Sequence, residues 1–274
     1  MREPSPSRDA DADDVFATAA TVCRAWFDDP PVEVGPLASS GFSGSRVLRV
    51  RFAAEAGPFV LKSFHDGTSQ DHAEWVHRLA MHLRACGIAQ VPEVMNARTG
   101  ATVVADANGT LWELCRLMPG VSVSCPAAAQ AAAAGELLAR LHLAAATLAG
   151  TPPRSAPSPG ILRRIEQARS LAAVPWESRR RVRPCRGSRS PLVAVVEGRF
   201  DVAIARFKAA AGGRFVERVA RLRPEPLNLQ PVLRDIWCDH VLHASASAAP
   251  VTGIVDLHAA GIDLPATDIA RLLG

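Results

Sequence analysis

The amino-acid sequence predicts an α+β fold with two lobes, a β-rich lobe followed by a helical one. Alternating apolar residues before Pro119 favour strands, and apolar residues at helical spacing after Gly120 favour helices. No segment repeats internally. A sheet half followed by a helix half is typical of α+β proteins, and we expect a cleft between the two lobes.

The N-terminal half is expected to form a five-stranded antiparallel sheet that carries one helix. Asn108-Gly109 separates two apolar runs, which is the strongest short hairpin signal. After the third strand, apolar positions change to helical spacing from Asp71 onward, which places this helix between the third and fourth strands. In chain order we predict a first helix that begins at Asp13 or Asp14, strands over 32–38, 46–52 and 59–64, a helix over 71–86, and strands over 101–105 and 110–118.

The C-terminal half is predicted to be mainly helical. The Pro-rich linker that begins at Thr151 breaks the first helical pattern, and Gly212-Gly213 interrupts a later one. We predict helices over 127–148, 161–172 and 192–222, an irregular segment over 231–243, a strand over 251–257 and an amphipathic piece from Thr267. The chain therefore divides into a disordered tail (1–14), an N-terminal lobe (15–118) and a C-terminal lobe (119–274).

Composition excludes some classes of protein. No apolar run is long enough to cross a membrane, and the acidic first residues do not form a signal peptide, so we expect a cytoplasmic protein with no membrane partner. Arginines crowd into residues 179–189, where they form either a solvated loop or an anion or nucleic-acid contact. No aromatic residue is interleaved with them, which disfavours a nucleic-acid partner.

Lys62 is the first candidate functional residue. Only Lys62 and Lys208 are lysines among the 31 basic residues, and Lys62 lies in an apolar strand. A buried ammonium is unfavourable unless an anion pairs with it. Glu74 on the next helix is the candidate partner, an arrangement that kinases use to hold the phosphates of ATP. The alternative is a strand-end lysine whose head reaches solvent.

The loop Ser39–Ser45 lies one hairpin earlier and could cover phosphates with its backbone N–H groups. The residues assigned to this cover are Ser40, Gly41, Ser43 and Gly44. The alternative is an ordinary turn, because the loop has no G-x-G-x-x-G pattern. A P-loop motif does not occur in the sequence.

A second group of candidates lies near the C-terminus. Arg234-Asp235 precedes His240 by a few residues, and Asp256 closes a short apolar strand. This order matches a kinase catalytic loop followed by a metal-binding aspartate. Asp235 would accept the proton of a substrate hydroxyl, while His240 and Asp256 would hold Mg²⁺. The alternative for Asp235 alone is a turn or cap residue.

These motifs, in this order, resemble the aminoglycoside phosphotransferase and choline kinase family, which has a protein-kinase-like fold. The resemblance extends from about residue 30 to the end and includes Phe59-Val-Leu-Lys62, the segment 112–120 and Asp263-Leu-Pro-Ala-Thr-Asp268. It implies ATP between the lobes, with adenine near Glu113 and Cys115. It also implies that Asp268 supports the loop of Arg234 and Asp235 from below.

Three departures from the family pattern affect these expectations. Val232-Leu233-Arg234-Asp235 stands where the family usually has His-Gly-Asp, and His240 replaces an asparagine. Because Mg²⁺ prefers oxygen ligands, Mn²⁺ is an alternative metal. The contribution of His258 is open. The sequence stops at Gly274, sooner than the family pattern, so a shortened substrate side is expected.

The sequence therefore predicts an ATP-dependent enzyme that phosphorylates a hydroxyl of a small molecule. The arginine-rich C-terminal half favours a neutral or anionic alcohol over a polycationic drug. The alternative is a nucleotide-binding or interaction module that keeps the fold with weak or no catalysis.

Overall fold

The computed structural model describes residues 17–37, 45–151, 154–172 and 226–273, together with nine helical positions between 199 and 221. The chain divides into two compact units. Unit 1 contains Met1–Pro152, Gln230–Gly261 and Pro265–Gly274, and unit 2 contains Pro153–Leu229 and Ile262–Leu264. The boundary between lobes at residue 118 stays a prediction.

The predicted five-stranded antiparallel sheet is confirmed. Its strand order is β1-β2-β3-β5-β4. In β2 the alternation is plain, because Leu48 and Val50 are buried while Arg49 and Arg51 are exposed. The strands are β1 Glu33–Pro36, β2 Val47–Arg51, β3 Phe59–Ser63, β4 Val104–Ala105 and β5 Leu111–Arg116.

The first hydrophobic core forms between this sheet and the helical residues 17–23, which we call α1. Trp26 follows α1 and donates its indole N–H to the carbonyl of Met95 at 3.0 Å. The core contains several aromatic side chains, and Phe52 and Phe59 lie in edge contact with their centroids 5.7 Å apart. This packing fixes β3 and β5 in the middle of the sheet.

Two long helices build the second core of unit 1. Helix α2 spans Gln70–Ala85, with Ser69 capping its N-terminus and Gly87 following it at φ 84°. Helix α3 spans Ala128–Ala145. Their apolar faces pack with the segments that carry the C-terminal candidate residues, and the shared core includes Leu79, Leu83, Leu137, Leu141, Leu233, Ile236 and Ile254.

The C-terminal region holds short strands besides its helices. Strands β6 Val121–Ser122, β9 Val241–His243 and β10 Val251–Ile254 form an antiparallel sheet in the order β10-β9-β6. Gly120 precedes β6 at φ 120°, and a Cβ there would lie 2.7 Å from the carbonyl oxygen of His243. Only glycine therefore permits this approach.

The remaining described strands and helices lie after α3 in the chain. Strand β7 (Arg154–Ala156) pairs antiparallel with β8 (Leu227–Val232), and α4 spans Pro159–Ala172. Strand β11 (Gly261–Asp263) precedes the last helix, α5 (Pro265–Leu272). None of the described helices is long and apolar enough to cross a membrane.

The segment predicted as irregular over 231–243 differs from the structure. It contains the end of β8, a 3₁₀ turn at Cys238–His240 and strand β9. Strands this short carry too few alternating positions for a period to be recognised, and Pro231 argues against a strand in sequence. Most of the predicted helix 192–222 lies outside the described residues.

Candidate active site

Lys62 and Asp256 meet, although they are far apart in sequence. The Lys62 Nζ atom donates to Asp256 Oδ1 at 2.7 Å, and Lys62 is 9% exposed. Burial raises the pKa of Asp256, but the Lys62 ammonium, together with His258 and His240, outweighs burial and holds the pKa of this carboxyl below its ordinary value. Asp256 follows β10 with φ 63°, a conformation that non-glycine residues rarely adopt. The backbone is therefore strained where the carboxylate meets the lysine.

The predicted pair between Lys62 and Glu74 is wrong. Glu74 lies on α2 and accepts a hydrogen bond from Gln70, one turn earlier, at 2.8 Å. Lys62 takes its anion from Asp256 instead, so the buried ammonium is neutralised without Glu74.

Glu113 has a different environment from the one predicted. It lies opposite Lys62 on β5, and its buried carboxylate binds His77 at 2.6 Å and His258 at 2.7 Å. Burial alone raises the pKa of Glu113, but the two histidines, His258 first, hold it well below the ordinary value. The His258 ring also stacks on Phe64, with centroids 4.1 Å apart. Because His258 lies two residues after Asp256, this network ties the Asp256 segment to β5.

The adenine contact at Glu113 and Cys115 stays a prediction, and the backbone of β5 is hydrogen-bonded along both of its edges. One edge of the strand pairs with β3. On the other edge, the Leu114 carbonyl accepts from Met95 N at 2.8 Å and Arg116 N donates to the Glu93 carbonyl at 3.0 Å. These hydrogen bonds occupy backbone groups of Leu114 and Arg116 on the edge that faces away from β3. The Cys115 thiol is buried, which raises its pKa well above the ordinary value.

Asp268 supports the loop of Arg234 and Asp235, as the resemblance implied. Its fully buried carboxylate accepts from Arg234 N at 2.6 Å, Leu233 N at 2.8 Å and His142 Nε2 at 2.9 Å. Arg234 has φ 66°, so its backbone is held in a left-handed conformation. Charge-assisted hydrogen bonds from two successive N–H groups stabilise this bend.

Asp235 lies at the partly exposed end of this loop. Its Oδ1 atom accepts from the indole N–H of Trp237 at 2.7 Å and also from the Arg271 guanidinium. The guanidinium lies over the Trp237 ring, 3.8 Å from its centroid. The Asp235 side chain is 39% exposed, so a substrate hydroxyl can approach it.

His240 connects Asp235 to Asp256. Its Nδ1 atom lies 2.8 Å from the Asp235 carbonyl, and its own carbonyl accepts from Val255 N at 2.9 Å. A carbonyl can only accept, so Nδ1 carries a proton, and Nε2 is the nitrogen that has a lone pair in the neutral imidazole. That Nε2 atom lies 3.9 Å from Asp256 Oδ2.

His240 and Asp256 fit a divalent cation that has few protein ligands. Across the described ranges, no group of three or more His, Cys, Asp or Glu side chains could hold a metal. Mg²⁺ is commonly bound by one or two carboxylates together with substrate phosphates, and an imidazole nitrogen suits Mn²⁺ better than Mg²⁺. The site therefore fits a cation that is completed by phosphate oxygens.

Some predicted residues cannot be placed. The proposed phosphate cover, made of Ser40, Gly41, Ser43 and Gly44, lies outside the described residues, as does the arginine cluster over 179–189. Sequence reasoning missed the contacts of Arg271, Trp237 and His77. One signal was present, because Arg271 lies three residues after Asp268 and so shares its helix face.

Acid should destabilise unit 1 through its buried carboxylates. The folded-state pKa values of Glu113 and Asp256 are lowered, so their contribution to stability is complete above about pH 4 and is lost as the pH falls through the folded values. The urea midpoint of the wild type should decrease as the pH is lowered from about 5 to about 3. We expect this decrease to be smaller in Glu113→Gln. Glu136→Gln, at an exposed position on α3, is the matched control. Equal acid slopes in the wild type and Glu113→Gln would contradict this account.

The fold is that of kinase-like enzymes, as similar solved structures show. An amicoumacin kinase with AMP-PNP and Ca²⁺ superposes with a TM-score of 0.62 at 14% identity, covering 98% of this chain and 71% of that one. A spectinomycin phosphotransferase with ADP and spectinomycin superposes with a TM-score of 0.61 at 13% identity, covering 91% and 70%. The predicted kinase-like fold class is confirmed.

Residues 36–274 match the phosphotransferase enzyme family, and the chain belongs to that family. Among curated proteins it is similar to a homoserine kinase of Xanthobacter autotrophicus, with 24% identity over 243 residues. The match covers 88% of this chain, and the chain spans 65% of the length of that kinase.

Proposed function

We propose that this protein transfers the γ-phosphoryl group of ATP to a hydroxyl of a small molecule. The observation that carries the proposal is the convergence of Lys62, Asp256 and His240, with Nζ–Oδ1 at 2.7 Å and Nε2–Oδ2 at 3.9 Å. Membership of the phosphotransferase family and the similarity to a homoserine kinase support it. The expected cytoplasmic location and the absence of a nucleic-acid partner stay predictions.

Each candidate residue has a separate role in the proposed reaction. The Lys62 ammonium binds phosphate oxygens of ATP, and Asp235 orients the acceptor hydroxyl and accepts its proton. The acceptor oxygen forms a bond to the γ-phosphorus as the bond from that phosphorus to ADP breaks, so ADP leaves. A divalent cation held by His240 and Asp256 would neutralise charge on the phosphates.

ATP binding and turnover test the proposal directly. ATP affinity is measured by calorimetry with Mg²⁺, with Mn²⁺ and with EDTA, and ADP release is then followed in the presence of a panel of alcohols. The proposal requires metal-dependent binding and acceptor-dependent release. Binding without any release would instead favour a non-catalytic nucleotide-binding module, and no binding would reject both functions.

Metal preference gives a specific prediction for His240. Imidazole nitrogen is a better ligand for Mn²⁺ than for Mg²⁺, whereas an amide oxygen suits Mg²⁺. We expect His240→Asn to raise the ratio of Mg²⁺-supported to Mn²⁺-supported kcat/KM by about tenfold. His65→Asn, at an exposed position before α2, should leave the ratio unchanged. An unaltered ratio in His240→Asn would show that His240 does not contact the cation.

A further inference from the structure

We propose that the acceptor is a small hydroxy acid whose carboxylate is bound by Arg271, beside the Asp235 carboxylate that receives the hydroxyl. This inference rests on the proposed phosphotransfer and adds to it the chemical class of the acceptor. Its basis is the contact between Arg271, Asp235 and Trp237 at the partly exposed end of the catalytic loop.

The position of Arg271 is set by the fold. Asp268, on the same face of α5, is fully buried and binds two backbone N–H groups of the loop and His142. Helix α5 is therefore held against the loop that carries Asp235. Arg271 lies three residues further along, and this spacing directs its side chain toward Asp235.

The Arg271 guanidinium has capacity for a second anion. A guanidinium offers five N–H donors, and its contacts within the described part of the chain are one hydrogen bond to Asp235 and the face of Trp237. The Arg271 side chain is 34% exposed and Trp237 is 40% exposed, so both face solvent where an acceptor would approach. Stacking on the indole orients the planar guanidinium with an edge available for a carboxylate.

The positive charge of Arg271 and its distance from the acceptor hydroxyl define the chemical class of the acceptor. A cationic amino alcohol that brings its hydroxyl to Asp235 would place its ammonium near Arg271 and be repelled, whereas a carboxylate would be attracted. The hydroxyl and the guanidinium both lie within hydrogen-bond reach of the same carboxylate, so they are separated by at most about 6 Å. A hydroxy acid with roughly two to four carbons between its hydroxyl and its carboxylate spans that gap.

Matched pairs of acceptors provide the test. ADP release is measured with glycerate and glycerol, and with L-homoserine and its reduced analogue homoserinol, which lacks the carboxylate. In the wild type the acid should be preferred within each pair. Arg271→Gln should lower the ratio of acid to alcohol kcat/KM by roughly 10- to 100-fold, the loss expected for one charge-assisted bidentate contact.

Two further variants separate recognition from stability. Arg271→Lys keeps the charge but loses the planar fork, so it should retain part of the preference for acids. Arg78→Gln removes one positive charge from an exposed position on α2 and should leave the ratio at its wild-type value. If Arg271→Gln fails to fold, Arg271→Lys still tests the proposal. Its ratio of acid to alcohol kcat/KM should be lower than that of the wild type but should still favour the acid.

Each outcome decides between the proposals. Release with neutral or cationic alcohols and none with hydroxy acids would overturn the acceptor assignment while leaving phosphotransfer intact. An equal loss for acids and alcohols in both Arg271 variants would show that Arg271 only positions Asp235. Absence of ATP binding would reject the proposed function itself, and the acceptor assignment with it.

Discussion

Asp235→Asn is expected to lower kcat by about 10²- to 10⁴-fold, the usual contribution of a general base. Asparagine has the same shape, and its oxygen can still accept from the Trp237 indole, which binds Asp235 at 2.7 Å. It cannot receive the proton of the acceptor hydroxyl. ATP affinity should change little, because the proposed phosphate-binding residues Lys62 and Asp256 bind each other and not Asp235.

The measurement is steady-state ADP release together with calorimetric ATP binding. Asp239→Asn is the matched control, because this exposed aspartate lies in the same loop and loses the same charge. A kcat for Asp235→Asn equal to that of Asp239→Asn would remove Asp235 from the catalytic machinery. Loss of ATP binding in Asp235→Asn would instead indicate that the loop had collapsed.

Asp268→Asn is expected to give the largest loss of stability, roughly 3–5 kcal/mol. The carboxylate is fully buried and accepts three hydrogen bonds at 2.6 to 2.9 Å. An amide has one acceptor oxygen, and its NH₂ group would face an N–H donor. The left-handed backbone of Arg234, at φ 66°, would also lose the contact that holds it.

Urea denaturation followed by tryptophan fluorescence measures this effect. Four of the five tryptophans (Trp26, Trp75, Trp112 and Trp237) belong to unit 1, so the signal reports mainly on the unit that contains Asp268. Asp66→Asn, at an exposed position before α2, controls for the charge change. A midpoint for Asp268→Asn that matches this control would mean that the buried hydrogen bonds contribute little net stability.

Much of the fold could be predicted because the relevant signals are local. Alternation identified β2, Asn108-Gly109 identified the hairpin that joins β4 to β5, and helical spacing identified α2 and α3. The missed strands β6, β7, β9 and β11 have two or three residues each, and the missed six-residue strand β8 contains Pro231. Their existence depends on pairing partners from distant parts of the chain, and local sequence does not contain that information.

The candidate site was also predicted only in part from the sequence. The motif around Lys62 and the motif around Asp235 and Asp256 identified candidate residues, because spacing and residue type reflect the chemistry required. The choice of Glu74 as the anion for Lys62 was wrong, because several carboxylates satisfy the same chemical requirement. Distance in three dimensions selected Asp256 for Lys62 and left Glu113 to His77 and His258.

The sequence by itself determined the α+β class, the order of the main elements and the choice of candidate reactive residues, since these depend on periodicity and residue chemistry along the chain. Tertiary structure alone decided the partner of each charge: Asp256 for Lys62, Arg271 for Asp235, and two backbone N–H groups for Asp268. A charge is stabilised by whichever opposite charge or donor folding brings within a few ångströms, and sequence separation does not measure that distance.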